Sequence, residues 1–170
     1  MPTRSPADLI LHGFETSNNI KVRIALGYKG LDYEFRTIHP EQRDAIVAFS
    51  GQHLTPVLEH GSTVLFDSAA ILRYLDANFR DTPRLFGTSG TQQWEIEDHE
   101  FFARTQLAGP MMRVIHSRIA GKPLSEDATT ACNHDFARAV QQLVDALGRS
   151  EWLVGDTMSA GDITAAAVIQ

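Results

Sequence analysis

Cysteine is almost missing from this chain: its 170 residues include one, Cys132. A single thiol excludes an internal disulfide framework and a cysteine-rich metal site, and Cys132 reads as a packed helix residue. There is no apolar run near the length of a membrane span. Met1–Pro6 lacks the apolar core of a secretory signal. A soluble cytoplasmic protein with no membrane partner is therefore the expectation. Positive charge is also short: 15 Lys and Arg against 21 Asp and Glu leave a formal net charge of −6, and the basic residues are scattered. That excludes nucleic acid as the main partner. The seven histidines show no metal-ligand spacing, so no metal is expected. What is present is a hydrophobic content of 43%, ordinary for a globular core. The length suits one generous domain or two small ones.

The first 80 residues mix two periodicities. Ala7–His12 is a short apolar run between Pro6 and Gly13 and reads as a buried strand. Thr16-Ser17-Asn18-Asn19 then offers four polar residues able to cap a helix, which carries Ile20, Val22, Ile24 and Leu26 and stops at Gly30. Leu31–Ile38 alternates apolar and polar residues, as a strand with one wet face does. Pro40 fits the first turn of a short helix running through Phe49. Pro56 opens a strand, since it cannot donate to a ladder. Gly61 supplies the tight turn, and Val64–Phe66 runs into Asp67-Ser68, a pair suited to start a helix. The predicted order is β-α-β-α-β-β-α.

From Arg80 to Gly90 the periodicity breaks at Pro83, Gly87 and Gly90, which marks a linker. Everything after it is helical. Gln92–Ile119 predicts one long helix kinked at Gly109-Pro110. Ser125–Leu147 predicts a second, burying Phe136, Val140, Leu143, Val144 and Leu147. Ser159-Ala160-Gly161-Asp162 is an S-x-x-D start, close to a capping box. The segment it opens, Ile163–Ile169, is apolar on all sides and asks to be buried, yet no further helix follows it in the sequence.

This element order, with the Pro-opened third strand, Asp67-Ser68, and the later run Gly155–Ile163, resembles the glutathione S-transferase superfamily. The likeness extends over nearly the whole chain from about Leu9. It is closest in kind to bacterial-like Ser/Thr-type members, and Thr16-Ser17-Asn18 is similar to the Thr-x-Asn arrangement of the nu class. The resemblance implies an α+β fold: an N-terminal thioredoxin-like βαβαββα domain over residues 7–80, a linker over 81–90, and an all-helical domain over 91–170 that is truncated at its C-terminal end. It implies glutathione as cosubstrate and a homodimer as the assembly.

The site residues follow from the same resemblance. Asp67-Ser68 is an ordinary N-cap pair, but in the family such a pair holds the γ-glutamyl end of glutathione. A helix N-terminus receives the carboxylate and the acidic side chain pairs with the ammonium. In the family the proline matching Pro56 is cis, which turns the backbone of the preceding residue, here Thr55, toward the cysteinyl part. A hydroxyl six residues before the Val of a Lys/Arg-Val pair faces sulfur in Ser/Thr types. Counted back from Lys21-Val22 that residue is Thr16, with Ser17 as its neighbour and competitor and Asn18 beside them. A hydroxyl donating to sulfur at a positive helix end favours the thiolate, the nucleophilic form. Thr16 and Ser17 are equally suited to cap the helix, and capping is compatible with sulfur contact. Gln52 or His53 stands, at a shifted offset, where the family places a long polar residue on the glycyl carboxylate.

Two functions follow from this reading. One is a transferase that activates glutathione against a small electrophile, or uses it to reduce a disulfide or peroxide. The alternative is a non-catalytic module of the same fold that serves association with other proteins. Retention of Asp67-Ser68, Thr55-Pro56 and the hydroxyl cluster together favours the enzyme, because a module freed from its ligand has no need of all three.

Overall fold

The computed structural model describes residues 8–39, 41 and 44–170; Ala7 and Pro40, named above, lie outside them. The chain divides into two compact units, Met1–Leu85 and Phe86–Gln170.

The first unit is built on a four-stranded sheet in the order β2-β1-β3-β4. Strand β1, Leu9–Gly13, pairs in parallel with β2, Glu34–Thr37, and antiparallel with β3, Val57–His60. Strand β4, Thr63–Phe66, returns from β3 through Gly61-Ser62, where Gly61 takes a φ of 58°. That left-handed backbone is what the tight turn required of a glycine. The parallel pair needs a crossover, which helix α1, Ser17–Tyr28, supplies. Leu11 and Leu58 face each other across β1 and β3 and are fully buried, as are Val22 and Leu26 on α1. Helix α3, Ser68–Asn78, adds Ile71, Leu72 and Leu75 to this core and packs on α1. Each such side chain withdrawn from water contributes about 2 kcal/mol. On the opposite face of β1, His12 meets Phe49 of the short helix α2, Asp44–Ser50, and hydrogen-bonds to Glu59 of β3.

Strand β2 is shorter than the predicted Leu31–Ile38. The start of that segment finishes α1 instead. Gly30 has a φ of 62° and the Leu31 N–H donates to the Leu26 carbonyl at 3.0 Å. This wrapped C-terminal turn takes Leu31 out of the ladder.

The second unit contains α4, Gly90–Phe102; α5, Ala108–Ile119; α6, Glu126–Leu147; and α7, Ala160–Ile169. The predicted long helix is interrupted earlier than Gly109-Pro110, by a π-helical turn at Ala103–Leu107 in which the Ala108 N–H donates to the Ala103 carbonyl. Proline inside a helix removes an N–H and clashes with the carbonyl four residues back, here Gln106. The widened turn spans Gln106, one turn before Pro110, and opens the ladder where this clash would fall. On α6, Leu143 is buried as expected, but Val144 is 55% exposed and the buried neighbours are Cys132 and Ala139. Phe136 and Val140 pack at the edge of a cluster centred on Ala103, Leu107, Ala139, Leu143, Ala165 and Val168.

The last helix is buried, as its all-round apolar character asks, and the cover comes from helices that precede it in the chain. Seven of the ten residues of α7 are buried, and it packs on α4 and the π-turn. Small residues allow this approach: a Cβ added at Gly161 would lie 2.9 Å from His99 Cβ. Its N-terminus is anchored by Asp162, which accepts from Ser159 N at 2.9 Å, Ser159 Oγ at 2.6 Å and, nine residues back, Leu153 N at 2.8 Å. Asp162→Ala strands all three donors. The expected loss is about 2–4 kcal/mol, read from the urea midpoint by tryptophan fluorescence. A loss below about 1 kcal/mol would show that water replaces the carboxylate.

Candidate functional site

Three separate segments of the first unit meet at the start of α1. Thr16 is its N-cap, with extended backbone at φ −137° and ψ 159°. Its Oγ1 accepts from the Asn19 backbone N–H at 3.5 Å, a long contact, and from Asn19 Nδ2 at 2.8 Å. Asn19 Nδ2 also donates to Thr55 Oγ1 at 3.1 Å, directly before the cis Thr55-Pro56 bond. One residue earlier, Asn18 Oδ1 accepts from Ser68 Oγ at 3.2 Å. Ser68 is the first residue of α3, so this bond brings the N-termini of α1 and α3 side by side. Two positive helix ends then lie next to each other, an arrangement that favours an anion, although Asn19 N, Ala69 N and Ala70 N are already held by the capping side chains.

Asp67 caps α3. Its Oδ1 accepts from Ala69 N and Ala70 N at 2.9 and 3.0 Å, while the residue stays exposed. One carboxylate oxygen is spent on the helix, and the other has no hydrogen-bond partner among the described residues. Asp67 also holds a φ of 71°, unusual for a side chain with a Cβ. Such a backbone costs about 1–3 kcal/mol and is concentrated at ligand sites.

Of the residues singled out in the sequence, Thr16, Asn18, Thr55, Pro56 and Ser68 are thus gathered, with Asp67 beside Ser68. Ser17 opens α1 half-buried, and its hydroxyl has no hydrogen-bond partner among the described residues. His53 is exposed and makes no hydrogen bond to the cluster. Gln52 is committed to its own turn: its Nε2 donates to the Leu54 carbonyl at 2.8 Å and to Ser50 Oγ at 3.2 Å. Among the described residues no group of three or more His, Cys, Asp or Glu could hold a metal ion, and no helix is long and apolar enough to cross a membrane.

Asn19 is the residue that sequence reasoning undervalued, as one of four possible caps. It is 1% exposed and joins Thr16 to Thr55. A signal was present. Asn19 stands three and seven residues before Val22 and Leu26, on the apolar stripe of the helix, and a polar side chain on such a stripe needs a partner.

Residues 11–83 match the family described as glutathione S-transferase, N-terminal domain. A glutathione S-transferase of Triticum aestivum is 28% identical over 173 residues, covering 99% of this chain and 79% of its own length. Both matches make this chain similar to glutathione S-transferases, the first over its N-terminal unit. Glutathione S-transferase 1 of Dianthus caryophyllus is 40% identical over a shorter stretch of 77 residues, 38% of this chain and 31% of that relative. The match therefore spans less than a third of that relative's length. Among solved structures, a glutathione S-transferase of Methylobacterium radiotolerans in complex with glutathione sulfonate superposes with a TM-score of 0.79 at 23% identity, over 95% of this chain and 77% of that one. The likeness to that structure is one of fold: a thioredoxin-like N-terminal unit and a helical C-terminal unit.

Proposed function

We propose that this protein is a glutathione transferase whose cosubstrate occupies the cluster at the starts of α1 and α3. The observation that carries this reading is the pair of bridges, Asn18 to Ser68 and Asn19 to Thr16 and Thr55, which collect hydroxyls from three segments at two helix N-termini. Glutathione presents a zwitterionic γ-glutamyl end, a thiol and a glycyl carboxylate. Asp67 pairs with the ammonium and the Ser68 backbone N–H at the α3 start with the adjacent carboxylate, the Ser68 hydroxyl turning from Asn18 to join it. The Thr55-Pro56 backbone receives the cysteinyl amide. Thr16 donates to sulfur, Ser17 and Asn18 stand beside it, and His53 takes the glycyl carboxylate.

With Thr16 donating, the thiol releases its proton to solvent near neutrality. The sulfur lone pair then forms a bond to an electrophilic carbon, and the leaving group departs with the bonding electrons. With a disulfide, sulfur attacks sulfur and a thiolate leaves. The family resemblance adds a homodimer in the cytoplasm to the proposal.

Retention on immobilised glutathione tests the ligand. The wild-type chain is expected to bind. Asp67→Ala is expected to lose roughly tenfold to a hundredfold in affinity, the effect of a hydrogen-bonded charge. Asp67→Asn keeps a cap but not the charge, and separates the two contributions. A wild type that is not retained removes glutathione from the account and leaves the non-catalytic interaction module.

A further inference from the structure

Asn19 spends both hydrogens of its amide, one on Thr16 Oγ1 and one on Thr55 Oγ1. Its Oδ1 is buried without a hydrogen-bond partner among the described residues and lies against Gly13, where a Cβ would sit 1.6 Å away. The reverse orientation of the amide is disfavoured. It would press an NH2 group with two unsatisfied hydrogens onto the Gly13 α-carbon, whereas a carbonyl oxygen tolerates that contact as a weak C–H···O interaction. The direction of the two bonds follows: Asn19 donates and the two threonines accept.

Donation has a consequence for Thr16. With its oxygen already accepting from Asn19, its own O–H has to be given to another acceptor, and no described residue takes it. A hydroxyl that accepts a hydrogen bond is also the stronger donor. We propose that Asn19 is a positioning residue that holds the Thr16 hydroxyl as a donor toward the glutathione sulfur, acting through Thr16 and touching neither sulfur nor electrophile. This rests on the reading of Thr16 given above. The absence of a Cβ at Gly13 is the second half of the device, because any larger residue there evicts the amide.

The test reads the thiol pKa of bound glutathione, from thiolate ultraviolet absorbance against pH and from the pH profile of conjugation with chlorodinitrobenzene. Three variants disturb the amide in different ways. Asn19→Ala deletes it, Asn19→Asp replaces the donor with an acceptor that draws the Thr16 hydrogen inward, and Gly13→Ala displaces it. In each folded variant the bound thiol pKa is expected to rise by about one unit and kcat/KM at neutral pH to fall about tenfold. The affinity for glutathione at low pH, where the thiol is protonated, is expected to stay within about threefold of wild type. In the double variant of Asn19→Ala and Thr16→Ala the pKa should equal that of Thr16→Ala alone. An unshifted pKa in a folded variant overturns the proposal, as do additive effects in the double variant. Loss of folding in all three variants also overturns it, in favour of a purely structural asparagine. A wild type that binds no glutathione, or binds it without forming the thiolate, instead fails the proposed function, and the two failures are distinguishable.

Discussion

Asp76→Asn is expected to destabilise the first unit by about 3–5 kcal/mol, the effect of leaving a buried charge without its partner. Lys29 and Asp76 are 2% and 3% exposed. Lys29 Nζ donates to Asp76 Oδ1 at 3.1 Å and to the Pro83 carbonyl at 2.8 Å. Asp76 also accepts from Arg84 Nε at 3.1 Å, Arg84 Nη2 at 2.9 Å and Leu85 N at 2.7 Å. One carboxylate thus ties α1, α3 and the end of the unit together. Burial lowers the Lys29 pKa from its ordinary 10.5, opposed by the hydrogen bond and charge of Asp76. Asparagine removes most of that opposition.

The reverse substitution is milder. Lys29→Met leaves Asp76 with Arg84 and the Leu85 N–H, and methionine fills the lysine's channel. A loss of about 1–2 kcal/mol is expected. The pH dependence has a definite sign. A lysine whose folded pKa is depressed binds fewer protons folded than unfolded between the two values, so stability rises with pH in that window. Asp76→Asn lowers the folded value further. Its deficit relative to wild type should therefore be largest at neutral pH or below and shrink as pH climbs toward 10.5. Urea unfolding followed by circular dichroism reads this. Both tryptophans, Trp94 and Trp152, lie in the second unit and report on it alone. A deficit below about 1 kcal/mol, or one that grows with pH, would sink this account of the pair.

Thr16→Val is expected to cost activity and about 1–3 kcal/mol of stability, since it strands the buried Asn19 Nδ2 that Thr16 Oγ1 accepts from at 2.8 Å. The cap bond from Asn19 N is 3.5 Å long, too long to contribute much, and valine preserves the shape of the side chain. On the proposed reading, a hydroxyl donor to the glutathione thiolate is lost as well, about 1.5–3 kcal/mol of preference for the ionised form. Conjugation at neutral pH should fall roughly tenfold to a hundredfold, the bound thiol pKa should rise, and Thr16→Ser should recover most of the loss. Ser17→Ala should stay within about threefold, because that side chain has no place in the hydrogen-bonded cluster. A loss at Ser17 equal to that at Thr16 would move the sulfur contact by one residue and take the role of Asn19 with it.

Much of this architecture could be read along the chain. The short apolar run that ends at His12, Gly61 at the hairpin, Asp67-Ser68 at a helix start and Ser159–Asp162 as a capping box are signals spanning a few residues. Each recurs in the structure where it was expected. Where a local signal had a rival, it was less dependable. Leu31 alternates like a strand residue but is claimed by the wrapped end of α1, and Pro110 acts on the helix one turn upstream of itself.

The sequence by itself determined the elements, their order and the segments that carry polar side chains, because propensity, capping and turn chemistry act over distances of up to about four residues. Tertiary structure alone decided which side chains share a site. Asn19 meets Thr55 across 36 positions, Asn18 meets Ser68 across 50, and Lys29 meets Asp76 across 47. In a helical sequence a lysine or asparagine reads as a solvated face. Only burial, which makes an unpartnered polar group costly, turns such a residue into the hub of a site or the anchor of a unit.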